Sequence, residues 1–326
     1  MLGCLLLGAV TARAPVDIIV DTDLSIDVDD VGAMCVAHAL VDRGEARLLA
    51  VIHDTALPEG VGAVSVINEY YGRQIPLGAY RGRVGAPGSD LAQPGWTNQG
   101  RGRYVDSLLS EFASPVRHAS EVADAVTVYR EALNRAKPAS VTIVAIGFAT
   151  TLLELLASTA DVISPLSGVE LVAERVQRLV IMGGRHAYDP AEEPVEWNFG
   201  GCGVGSEWND LYGPTNGCGS YDELGTITQQ MLERWPVSVP ITFVGFEAGV
   251  DVRTGLLQGK AATPATHSIS TSAAVAAAAA ERARSPCRRA CALNKTRTRR
   301  GCAIRACDVA TAHTPARRDH GSCAAL

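Results

Sequence analysis

The stretch Val16-Asp-Ile-Ile-Val20-Asp21-Thr22-Asp23-Leu24-Ser25-Ile26-Asp27-Val28-Asp29-Asp30 decides how the rest of the chain is read. Val16 to Val20 is a short β-branched run of the kind that forms a buried strand. Asp29 and Asp30 then open Val31 to Leu40, where apolar residues recur at helical spacing. Acidic residues suit a helix N-terminus, whose unpaired N–H groups carry partial positive charge. Between strand and helix sit five carboxylates within ten residues: Asp21, Asp23, Asp27, Asp29 and Asp30. Groups so close repel one another, and a bound cation relieves the repulsion. An all-oxygen donor set implies a hard ion, Ca2+ or Mg2+. In open α/β sheets ligands gather at the carboxyl ends of the strands. The competing reading is a solvated acidic loop with a helix cap; the tight spacing directly after an apolar strand favours a metal centre.

Outward from this stretch, strands and helices alternate. Arg47 to Ile52 reads as a second strand, Val61 to Tyr71 as a helix and Ile75 to Ala79 as a third strand. Residues 81–118 are rich in Gly, Pro and Arg without clear periodicity and read as a long loop. A helix follows from Glu121 to Ala136, then a strand from Val141 to Ile146 closed by Gly147. Thr150 to Ala157 and Val169 to Val176 read as helices, and Arg178 to Met182 as a strand closed by Gly183 and Gly184. Residues 200–220 read as a Gly-rich loop, Tyr221 to Trp235 as a helix and Val239 to Val244 as a last strand. This alternation predicts an α/β fold, a mainly parallel sheet with helices on both faces.

The chain has 326 residues, 47% of them hydrophobic, enough for one large α/β core. Its net charge of −6 argues against a nucleic-acid partner. The charge is unevenly spread: residues 281–326 carry +8 and the first 280 carry −14. That break marks a boundary, so we divide the chain into a signal-like leader at 1–14, a domain at 15–262 and a basic Ala/Arg/Cys-rich tail at 263–326. The tail has no core-forming period, reads as irregular or disordered, and resembles translated out-of-frame or intronic sequence. The leader has an apolar run and Ala12-Arg13-Ala14, a small-x-small pattern, but lacks a positive start, so cytoplasmic and secreted locations both stay open. No stretch approaches the ~20 apolar residues of a membrane span. Of nine cysteines, five crowd the tail at spacings that match no zinc ribbon or finger. Cys35 is expected on a buried helix, and Cys202 and Cys218 share one loop, where a secreted chain would allow a disulfide.

Three further features carry chemistry. Glu196 and Asn198, two apart in an expected extended segment, point to the same side and together suit a vicinal diol. Gly147 and Gly183-Gly184 end two strands and leave room for a ligand to approach the backbone. His53, beside Asp54 at the end of the second strand, faces the acidic rim, and His186 follows the Met-Gly-Gly turn. For both histidines, a place on the surface or behind the ligand contacts is the expected one. The Gly-x-Ser-x-Gly nucleophile pattern is absent. Gly201-x-Gly203-x-Gly205 does not follow a strand and open a helix, which excludes a dinucleotide fingerprint.

Taken in order, these motifs resemble the inosine/uridine-preferring nucleoside hydrolase family. The resemblance runs through Ile18 to Asp30, Val141 to Gly147, Leu179 to Gly184, Glu196 to Phe199 and Val239 to Glu247, covering roughly residues 16–258. It implies a nucleoside-hydrolase-like fold and Ca2+-dependent cleavage of ribonucleoside N-glycosidic bonds. Asp23 would match the residue that activates the metal-bound water. Asp23, Asp27, Asp29 and Asp30, with the Ile146 carbonyl, would hold the metal. Asp54, Met182, Glu196 and Asn198 would hold the ribose, with Asp54 standing where the family often has Asn. The partner is then a small-molecule ribonucleoside, with neither nucleic acid nor membrane involved; a homo-oligomer is compatible with it.

The resemblance stops before the tail, where no late metal-binding aspartate has a counterpart. A catalytically impaired nucleoside- or ribose-binding homologue is therefore the alternative. A haloacid-dehalogenase-type phosphatase, which also begins strand-Asp-x-Asp, is the less favoured one. Ser25 in place of the expected Thr or Val, together with the Met-Gly-Gly and Glu-Trp-Asn motifs, argues against it.

Overall fold

The structure, a computed structural model, describes residues 14–24, 28–81, 104–184, 198–199 and 221–249. The elements follow the order β1 (Val16–Thr22), α1 (Asp29–Asp42), β2 (Ala46–His53), α2 (Gly60–Tyr70), β3 (Leu77–Ala79), α3 (Tyr104–Glu111), β4 (Ala123–Asp124) and α4 (Ala125–Arg135). They continue with β5 (Val141–Ala145), α5 (Thr150–Ala157), α6 (Gly168–Arg175), β6 (Val176–Met182), α7 (Tyr221–Arg234) and β7 (Ile241–Val244). The seven strands form one sheet in the order β4-β3-β2-β1-β5-β6-β7, and every pairing is parallel. Among the described strands the sheet is thus wholly parallel, with no antiparallel edge.

All seven positions of β1 are buried, as an apolar strand covered on both faces requires. Successive side chains alternate between the two faces. Ile18 and Val20 pack with residues of α1, α2 and α3; Ile19 packs on the other face with residues of α4, α5, α6 and α7. Strand β5 divides likewise, with Val144 on the first face and Ile143 and Ala145 on the second. Between Ile18 and Ile19 the register to β2 jumps from Leu48 to Ala50, so Leu49 is an extra residue in β2. The helices thus cover both faces of the sheet.

Expected strand starts shift by two residues at β3, β6 and β7, and two segments change more. Residues 81–118 include a helix, α3, which buries Val105, Leu108 and Leu109 at i, i+3, i+4 spacing. Its eight residues are too few to stand out against Gly-, Pro- and Arg-rich flanks. The helix expected from Glu121 starts instead at Ala125. His118 caps a short 3-10 turn at Ala119–Glu121, Ala123–Asp124 joins the sheet, and Asp124 Oδ1 accepts the Val126 N–H to begin α4. No helix among the described residues is long and apolar enough to cross a membrane. The leader up to residue 13, the loop at 200–220, the tail at 263–326 and the Cys202–Cys218 pair lie outside the described residues. Cys35 is buried in α1, as expected.

Candidate active site

The chain runs outward from β1 through β2, β3 and β4 and then restarts on the opposite side of β1 with β5. Such a switch point opens a crevice beyond the strand ends, because successive connections leave in opposite directions. Three passes of the chain meet there. Ile146 N–H donates to Asp21 O at 2.8 Å, and Asp54 N–H donates to Thr22 O at 3.0 Å. Thr150, the first residue of α5, donates its hydroxyl to Asp54 O at 2.6 Å. Gly147 lies against two of these passes. A side-chain carbon there would fall 2.2 Å from Asp54 Oδ2, 2.6 Å from Asp23 N and 2.9 Å from Asp23 Cβ. Its glycine is a steric requirement of bringing Asp23 and Asp54 together.

Asp21 is fully buried beneath this point. Its Oδ2 accepts two hydroxyl donors at 2.5 Å, Tyr129 from α4 and Thr151 from α5. Burial lifts its pKa to about 7, against the pull of the Thr151 and Tyr129 donors. Asp54, within hydrogen-bonding reach of Asp21, is raised well above the usual carboxylate range by burial and by the charges of Asp21, Asp23 and Asp30. Two facing carboxyls in so dry a place hold a shared proton readily when no cation is near. Above them, Thr22 Oγ1 donates to Asp30 Oδ1 at 2.5 Å and accepts the Leu24 N–H at 3.3 Å. Asp29 and Asp30 are buried in the first turn of α1, while Asp23 is half-buried.

Sequence reasoning placed the acidic cluster but missed what steadies it. Tyr129 and Thr151 lie 108 and 130 positions from Asp21, with no local pattern linking them to it. The one available signal was Asp21 itself, a carboxylate inside an apolar strand and so in need of donors.

Of the expected site residues, Asp23 and Asp30 lie close enough to Asp54 for their charges to act on it, and Asp29 is buried beside Asp30 in α1; the Ile146 backbone is bonded to Asp21, and Asn198 bonds the Ile146 and Met182 carbonyls. Asn198 occupies a turn, not the extended segment expected. Its amide is turned inward, donating from Nδ2 to Ile146 O at 3.1 Å and to Met182 O at 3.4 Å. It thereby ties the ends of β5 and β6 together. The space beside Gly183 is taken by the Phe199 ring, which a side-chain carbon at 183 would meet at 2.3 Å. That glycine makes room for Phe199, where a ligand was expected. Asp27, Glu196 and His186 lie outside the described residues. His53 is buried beneath the rim.

The carboxylate and carbonyl oxygens gathered here are of the donor type that a hard divalent cation takes. Asp21 Oδ1 and both Asp54 carboxyl oxygens are buried and receive no N–H or O–H from the described residues. Acceptors left in that state are costly unless a cation or a shared proton satisfies them. Among the described residues, no three His, Cys, Asp or Glu side chains form a ready-made metal cage.

The profile of a family described as inosine-uridine preferring nucleoside hydrolase matches residues 18–211. No curated protein sequence matches the chain. Among solved structures, the type III effector XopQ, crystallised with adenosine diphosphate ribose, is 19% identical with a TM-score of 0.48. The match covers 74% of this chain and 59% of that one, so the chain spans well under two thirds of the effector's length. An inosine-guanosine nucleoside hydrolase is 17% identical with a TM-score of 0.48, covering 80% of this chain and 78% of that one. The plant nucleoside hydrolase PpNRh1 is 18% identical with a TM-score of 0.43, covering 83% and 73%.

Proposed function

The chain belongs to the inosine-uridine preferring nucleoside hydrolase family, and from that premise we propose that its domain at 15–262 hydrolyses the N-glycosidic bond of ribonucleosides to free base and ribose. One observation carries the proposal: Asp23 stands half-buried at the β1/β5 switch point, where the missing side chain of Gly147 lets it meet Asp54. Asp23, Asp27, Asp29 and Asp30, with the Ile146 carbonyl, would hold Ca2+. When bound, that ion supplies the positive charge that lowers the pKa of a water and orients the ribose hydroxyls.

The chain's own groups do the rest. Asp23 accepts a proton from the water that attacks the anomeric carbon. The C–N electron pair leaves with the base, which gains a proton from the surroundings. The ring passes through an oxocarbenium-like state, as in inverting glycoside hydrolysis. Asp54, Met182, Glu196 and Asn198 orient the ribose. For Asn198 this works through the backbone, since its amide fixes the ends of the two strands that carry Ile146 and Met182. Asp21, held by Tyr129 and Thr151, keeps the end of β1 in place beneath them.

The test is release of free base from inosine, guanosine, uridine and cytidine by the purified protein, with Ca2+ and with a chelator. Chelator-sensitive release supports the proposal; no release from any of the four overturns it. Nucleoside binding by calorimetry without turnover would favour the binding-protein alternative.

A further inference from the structure

His53 ends β2 and is 1% exposed. Its Nε2 lies 3.1 Å from Leu24 O, and its Nδ1 lies 3.3 Å from Thr55 O. Both neighbours are carbonyl oxygens, so both can only accept. A neutral imidazole has a single N–H and can satisfy one of them at a time. The Leu24 contact is the shorter, and it reaches 29 positions along the chain to a different loop. The Thr55 contact spans two residues of its own loop.

The fold makes a dedicated space for this ring. Gly60 opens α2 against it, and a side-chain carbon at 60 would lie 2.0 Å from His53 Nε2 and 2.3 Å from Cε1. The ring is thereby pressed between the start of α2 and the segment that follows β1, with one direction open to its Nε2. Leu24, whose carbonyl it meets, is itself fully buried and directly follows Asp23. On the other side of Asp23, Thr22 is fully buried and binds Asp30 and the Leu24 N–H through its hydroxyl. Asp23 is thus a half-buried carboxylate whose two flanking residues are pinned.

We propose that His53 is a positioning residue of the site: its Nε2–H holds the Leu24 carbonyl and so fixes the Asp23-Leu24 backbone that presents the Asp23 carboxylate. The role rests on the reading of Asp23 as the water-activating base. It differs from a general packing role because it depends on one nitrogen. Glutamine carries its amide nitrogen about as far out as Nε2, and asparagine about as far as Nδ1. His53→Gln can therefore keep the bond to Leu24, whereas His53→Asn can keep only the bond to Thr55.

The experiment compares both variants with the wild type in the full chain with Ca2+ and inosine, with folding checked by circular dichroism. The expected result is a His53→Gln kcat within about threefold of wild type and a His53→Asn kcat about 10–100-fold lower, with KM changed much less. Equal kcat values in two folded variants would overturn the proposal. If His53→Asn does not fold, the wild-type protein decides by 15N spectroscopy of its imidazoles. A His53 proton on Nε2 is expected, and a proton on Nδ1 overturns the proposal. Should the wild type release no base at all, the functional reading fails, and the imidazole spectrum still decides which carbonyl His53 holds.

Discussion

Gly147→Ala adds one methyl group where Asp23 and Asp54 crowd the backbone after β5. The new carbon would sit 2.2 Å from Asp54 Oδ2 and 2.6 Å from the backbone nitrogen of Asp23. Ordinary contact begins near 3.4 Å. Asp54 Oδ2 must therefore retreat by about 1.2 Å and the Asp23 backbone by about 0.8 Å, because the chain leading into Gly147 is held by the pairing of β5 on both sides and by the Ile146 N–H bond to Asp21 O. Displacement of a reacting group by about 1 Å is enough to cost on the order of 100-fold in rate. Overpacking of this kind also destabilises by about 1–3 kcal/mol, which in a domain this size lowers Tm by roughly 2–12 °C. The assay is base release under saturating Ca2+ alongside a thermal melt. Gly44→Ala is the control: nothing lies within 4 Å of it, yet its φ of +68° strains any side chain. That control should lower Tm while leaving kcat unchanged. A folded Gly147→Ala protein with wild-type kcat would refute the claim that Asp23 and Asp54 converge on Gly147 to form the site.

Tyr129→Phe removes one of two hydroxyl donors to the buried Asp21 carboxylate and should cost about 1–3 kcal/mol in urea unfolding. An unchanged midpoint would mean that Thr151 alone suffices. Arg130, 1% exposed, binds Asp161 through two nitrogens and also meets Ser158 Oγ, Ser164 O and Leu166 O. Arg130→Met should destabilise by about 2–4 kcal/mol through the two carbonyls it strands, with no change in KM for the folded fraction. His38 is buried between Asn68 Oδ1 and the Arg73 guanidinium, and burial followed by the Arg73 charge pushes its pKa to about 4. Because its folded pKa lies below the ordinary 6.5, its contribution is fully present above pH 6.5 and is lost as pH falls towards 4, by up to about 3 kcal/mol. Denaturation midpoints measured from pH 7 to pH 4 should show this slope, and a His38→Gln protein should lack its share of it.

The strands and long helices were legible in the sequence because their signals are local. A β-branched run such as Val16 to Val20, or the apolar spacing of α1, states its own structure. The carboxylates at the end of β1 were legible for the same reason, since five of them in ten residues are anomalous at any position. What could not be read was pairing across the fold. Tyr129 and Thr151 meet Asp21 only once β1 lies beside β5, and Phe199 explains Gly183 only once the turn at Asn198 has folded over β6. Asn198 shows the limit most clearly. Its amide looked suited to a diol, but the structure turns it to two main-chain carbonyls, a choice that sequence spacing cannot express. The β4 edge failed for another reason: two residues are too few to carry an alternating pattern.

The central place of β1 has a consequence for how the chain is made. Of the seven described strands β1 is synthesised before the others; it finds one neighbour quickly in β2, but its other edge waits for β5, with Asp21 paired to Ala145. At about 5–20 residues per second, the ribosome needs roughly 6–25 s to supply that neighbour. Throughout that interval the nascent chain exposes an apolar strand edge, the arrangement most prone to wrong pairing between chains. Placing the acidic cluster at the end of that strand puts negative charge beside the open edge, so repulsion between chains opposes association until β5 arrives.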